Sequence, residues 1–363
     1  MTLLGNNQKI AYVLISKDAA HSGVYKKILD QITFWRLSGY SVQLFVITDF
    51  DSISYWQKID EKALILLDKS RFAKFVNRIR IFRLAIKSRP SLIYLRDSFP
   101  LRIPKSSVPI VIEVQSLVGE ELKIRSRAKY LLFRYSKKYF YSRINAAVYV
   151  SRELLRLNEF QIKNTIPKIT IGNGIDLNRI EVLPQRIESK LGLFFVGNPN
   201  QLWHGVSELV EFARLNPDID IHVVGNSNQT RIPNLFFYGK LTPDEYLVIA
   251  SKCVAGIGSL NLGVIQQKES SSLKVREYLA LGLPVILKHE DTDLSSDDSH
   301  VLQLSDTQLN LAAFAPEIRR FLVEWKNKRV PREEILNLDV QAKEAIRLEF
   351  FENILSKKFT QVE

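Results

Sequence analysis

The chain has 363 residues, 46% of them hydrophobic and 25% charged, a mixture that excludes a largely disordered polypeptide and predicts two domains. Its single cysteine, Cys253, excludes an intramolecular disulfide and a cysteine-based zinc site, as a reducing compartment would favour. The net charge of +12 is uneven, with +16 on residues 1–185 and −4 on residues 186–363.

Residues 9–15 (KIAYVLI) form a short apolar run that reads as a buried strand. A polar loop with Gly23 follows, then a helix over 24–37 with Ile28, Ile32 and Trp35 at helical spacing, ended by Ser38-Gly39. Strands are predicted at 42–48, 63–67, 92–95, 110–114 and 146–150, with helices at 72–87 and 128–143. Both helices fall in stretches without acids: nine basic residues lie between Asp68 and Asp97, and nine more between Glu121 and Glu153. Such blocks suit nucleic acid, anionic lipid, an acidic substrate or a plain solvated face, and charge alone does not choose.

The pattern then restarts. Residues 169–171 lead into Gly172-Asn173-Gly174-Ile175-Asp176, and 181–190, with Pro184 and mixed charges, reads as a linker. Strands are predicted at 191–196, 219–224, 233–238, 254–259 and 284–287. Helices are predicted at 206–215, from Thr242-Pro243-Asp244-Glu245 onward, and at 272–281, with two more in the tail at 317–326 and 340–358. Repetition of strand, helix and strand predicts an α/β protein of two doubly wound, Rossmann-like domains. The boundaries expected are 1–185 for a basic N-terminal domain, 186–340 for a C-terminal domain, and 341–363 for a C-terminal helix packing back on the first.

The sharpest constellation is Glu269-Ser-Ser-Ser-Leu-Lys-Val-Arg-Glu277. With a helix starting near Ser271 or Ser272, Glu277 lies about one and a half turns inside it and Glu269 stays in the preceding loop. The unpaired N–H groups of the first turn and the positive end of the helix dipole then make an anion site suited to a diphosphate. Ser270, Ser271 and Ser272 add hydroxyls, Lys274 adds positive charge, and Glu277 is placed to accept hydrogen bonds from a ribose diol. A serine-capped surface helix is the plain alternative.

The segment continues as Glu277-Tyr-Leu-Ala-Leu-Gly-Leu-Pro-Val-Ile286, a helix ended by Gly282 and a strand opened by Pro284. In this it resembles the family 4 type of retaining glycosyltransferases, the bacterial polysaccharide and glycoconjugate enzymes with the GT-B fold. Their hallmark is two glutamates with seven residues between them, a small-residue helix and a Gly-x-Pro-Val strand. Other segments match in order: Ser22-Gly23-Val24 after the first strand, Ser151-Arg-Glu-Leu154, Gly172-Asn-Gly-Ile-Asp176, residues 193–197 followed by Trp203-His204-Gly205-Val206, and 236–239.

The resemblance implies a cleft between two facing domains, with the nucleotide sugar on the second and the acceptor on the first. Glu269 would contact the transferring sugar, Glu277 would hold the ribose, and Lys274, a catalytic candidate with Glu269, would supply positive charge toward the diphosphate. The backbone amides of Ser271, Ser272 and Leu273 would meet the diphosphate, Gly197 and Asn198 would lie beside it, and Phe237, Tyr238 and Gly239 would flank the base. His21, Ser22 and Gly23 would lie on the acceptor side. The sequence departs from the family with Asn198 where Arg or Lys is usual, His204 where Lys is usual, and Gln115 where a His is common. Glu113 and Gln115 become the acceptor-side catalytic candidates.

No metal or resident cofactor is expected; the donor is a nucleotide diphosphate sugar and the acceptor a glycan or lipid-linked molecule. The basic, aromatic stretch from Lys123 to Arg143 suits an anionic membrane surface. With no apolar run near the ~18 residues of a membrane helix and no basic-then-apolar leader after Met1, the expected location is cytoplasmic, peripheral to the inner face of the membrane. No nucleic-acid motif accompanies the charge. A sugar-nucleotide epimerase of the same architecture and a non-catalytic partner subunit of a transferase remain as alternatives. Of the remaining polar residues, His222 is expected in the core, His289 and His300 in polar loops, and Asp291-Thr-Asp293 in an exposed acidic loop.

Overall fold

A computed structural model describes residues 8–17, 22–68, 71–96, 103–157, 165–184, 190–197, 201–228, 230–304 and 309–359. The chain divides into two compact units, Met1–Gly172 with Val340–Glu363, and Asn173–Asp339.

The first unit contains seven strands: β1 (Lys9–Ile15), β2 (Ser41–Thr48), β3 (Leu64–Leu67), β4 (Leu92–Arg96), β5 (Ile110–Val114), β6 (Ala146–Tyr149) and β7 (Lys168–Thr170). They form one parallel sheet in the order β3-β2-β1-β4-β5-β6-β7. The crossovers carry α1 (Gly23–Leu37), α2 (Ile53–Ile59), α3 (Arg71–Lys87), α4 (Val118–Arg125), α5 (Arg127–Tyr141) and α6 (Arg152–Leu157). Because helices cover both faces, the strands are nearly continuous apolar runs: Ile10 to Leu14 of β1 are all buried. The Ser22 hydroxyl accepts from the Val24 amide at 3.2 Å and caps α1, an interaction worth about 1 kcal/mol.

The second unit carries β8 (Leu191–Val196), α7 (Val206–Leu215), β9 (Ile219–Val224), β10 (Leu235–Phe237), α8 (Pro243–Ser251), β11 (Ala255–Ile257), β12 (Glu269–Ser270), α9 (Leu273–Ala280), β13 (Val285–Leu287), β14 (Glu290–Asp291), β15 (Val301–Gln303) and α10 (Ala315–Trp325). Six strands form a parallel sheet ordered β10-β9-β8-β11-β13-β15, and β12 pairs with β14. Both large sheets reverse direction next to their first strand, β1 beside β4 and β8 beside β11, the switch point at which doubly wound folds bind ligands. Thr242 and Glu245 form a complete capping box at the start of α8, with Pro243 in the first turn.

Residues 173–184 run with the second unit. Leu177 and Leu183 enter its core, the Ile175 amide donates to the Leu338 carbonyl, and Ile175 bridges Asp339. Beyond Asp339, α11 (Val340–Phe359) packs on the first unit, where Leu348 and Phe351 join a core cluster with Ile28, Ile32 and Trp35 of α1. Among the described residues no helix is long and apolar enough to cross a membrane.

Candidate functional site

At the carboxyl ends of β8, β9 and β10 three glycines permit close backbone approach. The Gly197 amide donates to the Val224 carbonyl, and the Gly225 amide donates to the Gly239 carbonyl. Gly225 (φ +85°) has room for no Cβ, which would meet the Gly197 oxygen at 2.7 Å, and Gly239 (φ +67°) occupies the same left-handed region. Tyr238 turns its hydroxyl to His222 Nδ1 at 2.8 Å and stacks on that ring, as Phe236 also does. Tyr238 is therefore engaged with His222, while Phe237 is half-buried against the core cluster.

Helix α9 is locked onto the end of β8 by two side chains one turn apart. The Lys274 ammonium donates to the Val196 carbonyl at 3.2 Å, and the Tyr278 hydroxyl accepts from the Val196 amide at 2.7 Å. Gly256 of β11 makes this possible, since a Cβ there would strike the Tyr278 ring. The first turn of α9 thereby comes beside the Gly197 loop. Its N-cap, Ser272, makes no side-chain capping bond, so the first-turn amides keep their capacity to donate.

Burial pushes the Lys274 ammonium down to about 7, and the ammonium lies 4.2 Å over the Phe195 ring. His204, in the turn Leu202–His204, is pushed down to about 2 by burial and by Lys274, so it is neutral at physiological pH. Lys274 is thus the group that can offer positive charge at this strand end.

The two glutamates are positioned by different devices. Glu269 is buried in β12, in register with Glu290 of β14. Glu277 is half-buried on α9, and burial, together with the Glu277 charge, raises the pKa of the enclosed Tyr246 phenol. The Ser271 hydroxyl is engaged within the unit, accepting from the Asn173 amide at 2.7 Å and from Arg276 at 2.9 Å. Ser270 uses its carbonyl to accept from the Thr292 amide. His21 and Asn198 lie outside the described residues.

The surroundings differ from expectation at two points. Asp291 and Asp293 do not form an exposed acidic loop: the wholly buried Arg276 donates to Asp291 at 2.7 and 2.9 Å and to Asp293 at 2.8 Å, and Arg276 Nε donates to the Asn173 carbonyl. His289 and His300 are likewise buried, against Ser259 and Glu334 respectively. The Ser259 carbonyl can only accept, so Nδ1 of His289 carries the proton. Burial pushes this ring down to about 4, leaving Nε2 as a buried acceptor without a partner among the described residues.

In the first unit a cavity of about 200 Å³ opens at the sheet's switch point, lined by the ends of β1, β4 and β5, with Arg96, Glu113, Gln115, Ser116 and Glu121 as its polar groups. Gln115 bridges Arg96 and Glu113. Glu113 is committed to a buried ionic hub. It accepts from Lys27 at 2.5 Å, from the Tyr94 hydroxyl and from Gln115, with Arg347 Nη1 at 3.3 Å. Glu344 completes the hub, accepting from Arg347 and Trp35 at 2.8 Å each and from Gln31 at 3.1 Å. Ser22 is occupied as the α1 cap and Gly23 is the exposed first residue of that helix. Among the described residues no group of three His, Cys, Asp or Glu side chains is placed to hold a metal ion.

No family model matches this chain, and no curated protein does. Solved structures match along nearly all of it. Sucrose-phosphate synthase from Thermosynechococcus elongatus superposes with a TM-score of 0.68 at 14% identity, covering 97% of this chain and 100% of that one. HepE of Anabaena, in complex with UDP and glucose, gives 0.67 at 12%, covering 96% and 100%. The lipopolysaccharide outer core galactosyltransferase WaaB gives 0.61 at 12%, covering 95% and 100%. At such identities the likeness is one of fold, and by it the chain has the two-domain GT-B fold of these glycosyltransferases.

Proposed function

We propose that the chain is a retaining glycosyltransferase that moves a sugar from a nucleotide diphosphate sugar to a glycan or lipid-linked acceptor in cell-surface polysaccharide or glycoconjugate synthesis. The observation that carries this reading is the docking of α9 on β8. Lys274 and Tyr278 hold both backbone groups of Val196, bringing an uncapped helix start and one enclosed cation beside Gly197. The charge and geometry of this place support a diphosphate site. UDP-glucose in the HepE complex supports the same class of donor.

In this reading the α9 amides and Lys274 stabilise charge on the leaving diphosphate, which takes the acceptor's proton on the face where the new bond forms. Glu277 holds the ribose diol and Glu269 orients the sugar. The carboxyl-end cavity of the first unit, with Arg96, Gln115 and Glu121 on its wall, takes the acceptor. No metal enters this scheme.

Glu277→Ala is expected to weaken nucleoside diphosphate binding about tenfold to a hundredfold, the worth of hydrogen bonds to a charged group. Glu269→Ala is expected to lower turnover more than affinity. Thermal shift against a panel of nucleotides measures the first, since a ligand of the folded state raises its melting temperature. Release of free nucleotide from single sugar nucleotides, as opposed to an epimerised product, measures the second. Parent-like behaviour of both variants would remove this assignment.

Lys274 also sets a pH dependence. Below about pH 7 it is already protonated in the free protein, whereas above that value it must take up a proton to meet the diphosphate. Affinity for UDP is therefore expected to weaken as pH rises above about 7. Titration of the diphosphate itself is common to parent and variant, so Lys274→Met should bind more weakly and lose the difference in slope. Calorimetric titrations of both proteins across this range provide the check.

A further inference from the structure

Helix α5 presents a face that the fold leaves uncovered. Phe133, Phe140 and Tyr141 enter the core of the first unit. On the opposite side Ala128, Leu131, Leu132, Tyr135 and Tyr139 follow one another at the three- and four-residue steps of a single helical stripe. Four of them are large and open to solvent: Leu131 is 62% exposed, Leu132 46%, Tyr135 72% and Tyr139 48%. Single exposed apolar residues are ordinary, but a continuous stripe of them marks an interaction surface.

The flanks of the stripe identify what covers it. On the helical wheel, Arg127, Arg134 and Lys138 lie along one border and Lys129 along the other, all exposed, and no acid occurs between Glu121 and Glu153. Long cationic side chains beside an apolar strip can extend their charges to headgroup depth while the strip enters the acyl boundary. A nucleic acid would use the cations and stack on the tyrosines, but it would leave the two leucines without a role. We infer that α5 lies flat on an anionic phospholipid bilayer. Leu131, Leu132, Tyr135 and Tyr139 sit in the interface, and the four basic residues lie against lipid phosphates.

This inference is independent of the reaction proposed above, and flotation of the full chain with lipid vesicles tests it. The protein is expected to float with phosphatidylcholine vesicles containing about one third phosphatidylglycerol, but not with phosphatidylcholine alone. Added salt should weaken flotation without abolishing it, because the apolar stripe contributes regardless of ionic strength. Arg134→Gln with Lys138→Gln should lower the partition coefficient about thirtyfold, at roughly one surface charge's worth per residue. Leu131→Glu with Tyr135→Glu should lower it at least about a hundredfold. All four positions face solvent, so thermal melts of the variants should match the parent, and Glu277→Ala should float normally. Flotation of Leu131→Glu/Tyr135→Glu equal to the parent would overturn the inference. Binding of a single-stranded oligonucleotide without flotation would reassign the face to nucleic acid. A dimer that Leu131→Glu dissociates, again without flotation, would reassign it to a second copy of the chain.

Discussion

Arg276→Met is expected to destabilise the second unit by about 3–5 kcal/mol, the usual cost of removing one partner from a buried ion pair. The guanidinium is 0% exposed and donates to Asp291, Asp293, Ser271 and the Asn173 carbonyl. Burial works against its charge, but Asp291 and Asp293 outweigh that and raise its pKa. Removing it strands the buried Asp291 carboxylate and takes one donor each from the Asn173 carbonyl and the Ser271 hydroxyl, so the loop entering α9 loses an anchor. Lysine is no substitute, because a single ammonium cannot reproduce the forked contacts. Calorimetric unfolding should show the transition of Asn173–Asp339 lowered. Adding Asp291→Asn should restore part of the loss, because the stranded charge is then gone. A variant that melts with the parent would show that the clamp does not hold this unit together. Nucleotide affinity should fall as well, but only through the position of the first turn of α9.

That clamp also shows where sequence reading stops. The strands were legible because apolar runs such as KIAYVLI have no stable place but a sheet covered on both faces. The start of α8 was legible because Thr242, Pro243 and Glu245 are local capping chemistry. The helix start between Glu269 and Glu277 was legible from the serine run and the residues after it, and α9 begins there at Leu273. Arg276 carried no such signal. It sits among polar neighbours in Leu-Lys-Val-Arg-Glu, and its partners are 5, 15 and 17 residues ahead or behind, with Asn173 at 103. The polar look of Asp291-Thr-Asp293 suggested an exposed loop for the same reason. Glu113 likewise meets Arg347 across the whole first unit, a pairing only the return of α11 creates. Helix α5 illustrates a different limit. Its sequence has apolar residues on two opposite faces, and periodicity alone does not say which of them meets the sheet. The structure turns Phe133 and Phe140 inward and leaves Leu131 and Tyr135 outside.

Glu113→Gln is expected to destabilise the first unit by a similar amount, about 3–5 kcal/mol. Glutamine keeps a partner for Tyr94 but removes the charge that faces the buried Lys27 and leaves Arg347 to Glu344. Adding Lys27→Met should recover part of the loss, and the pair of variants measures the coupling. The pH dependence gives an independent reading. Burial pushes the Glu113 carboxyl up, but Lys27, Arg347 and Arg96 outweigh it and hold the group well below the usual carboxylate range. In the unfolded chain it titrates near its ordinary 4.5. Below that pH the unfolded chain therefore binds a proton that the folded one does not, and stability falls as pH falls. Glu113→Gln should lack this part of the acid slope. On the alkaline side Lys27 acts in the other direction. Burial pushes it down to about 8, so between there and 10.5 the unfolded chain holds a proton that the folded chain has lost, and stability rises with pH. Without Glu113 that rise should begin at lower pH, because the carboxylate is what keeps Lys27 charged against its burial. Urea unfolding of both proteins from about pH 3 to about pH 10 tests the two slopes together. Parallel curves would mean that Glu113 and Lys27 do not titrate as a pair inside the folded unit.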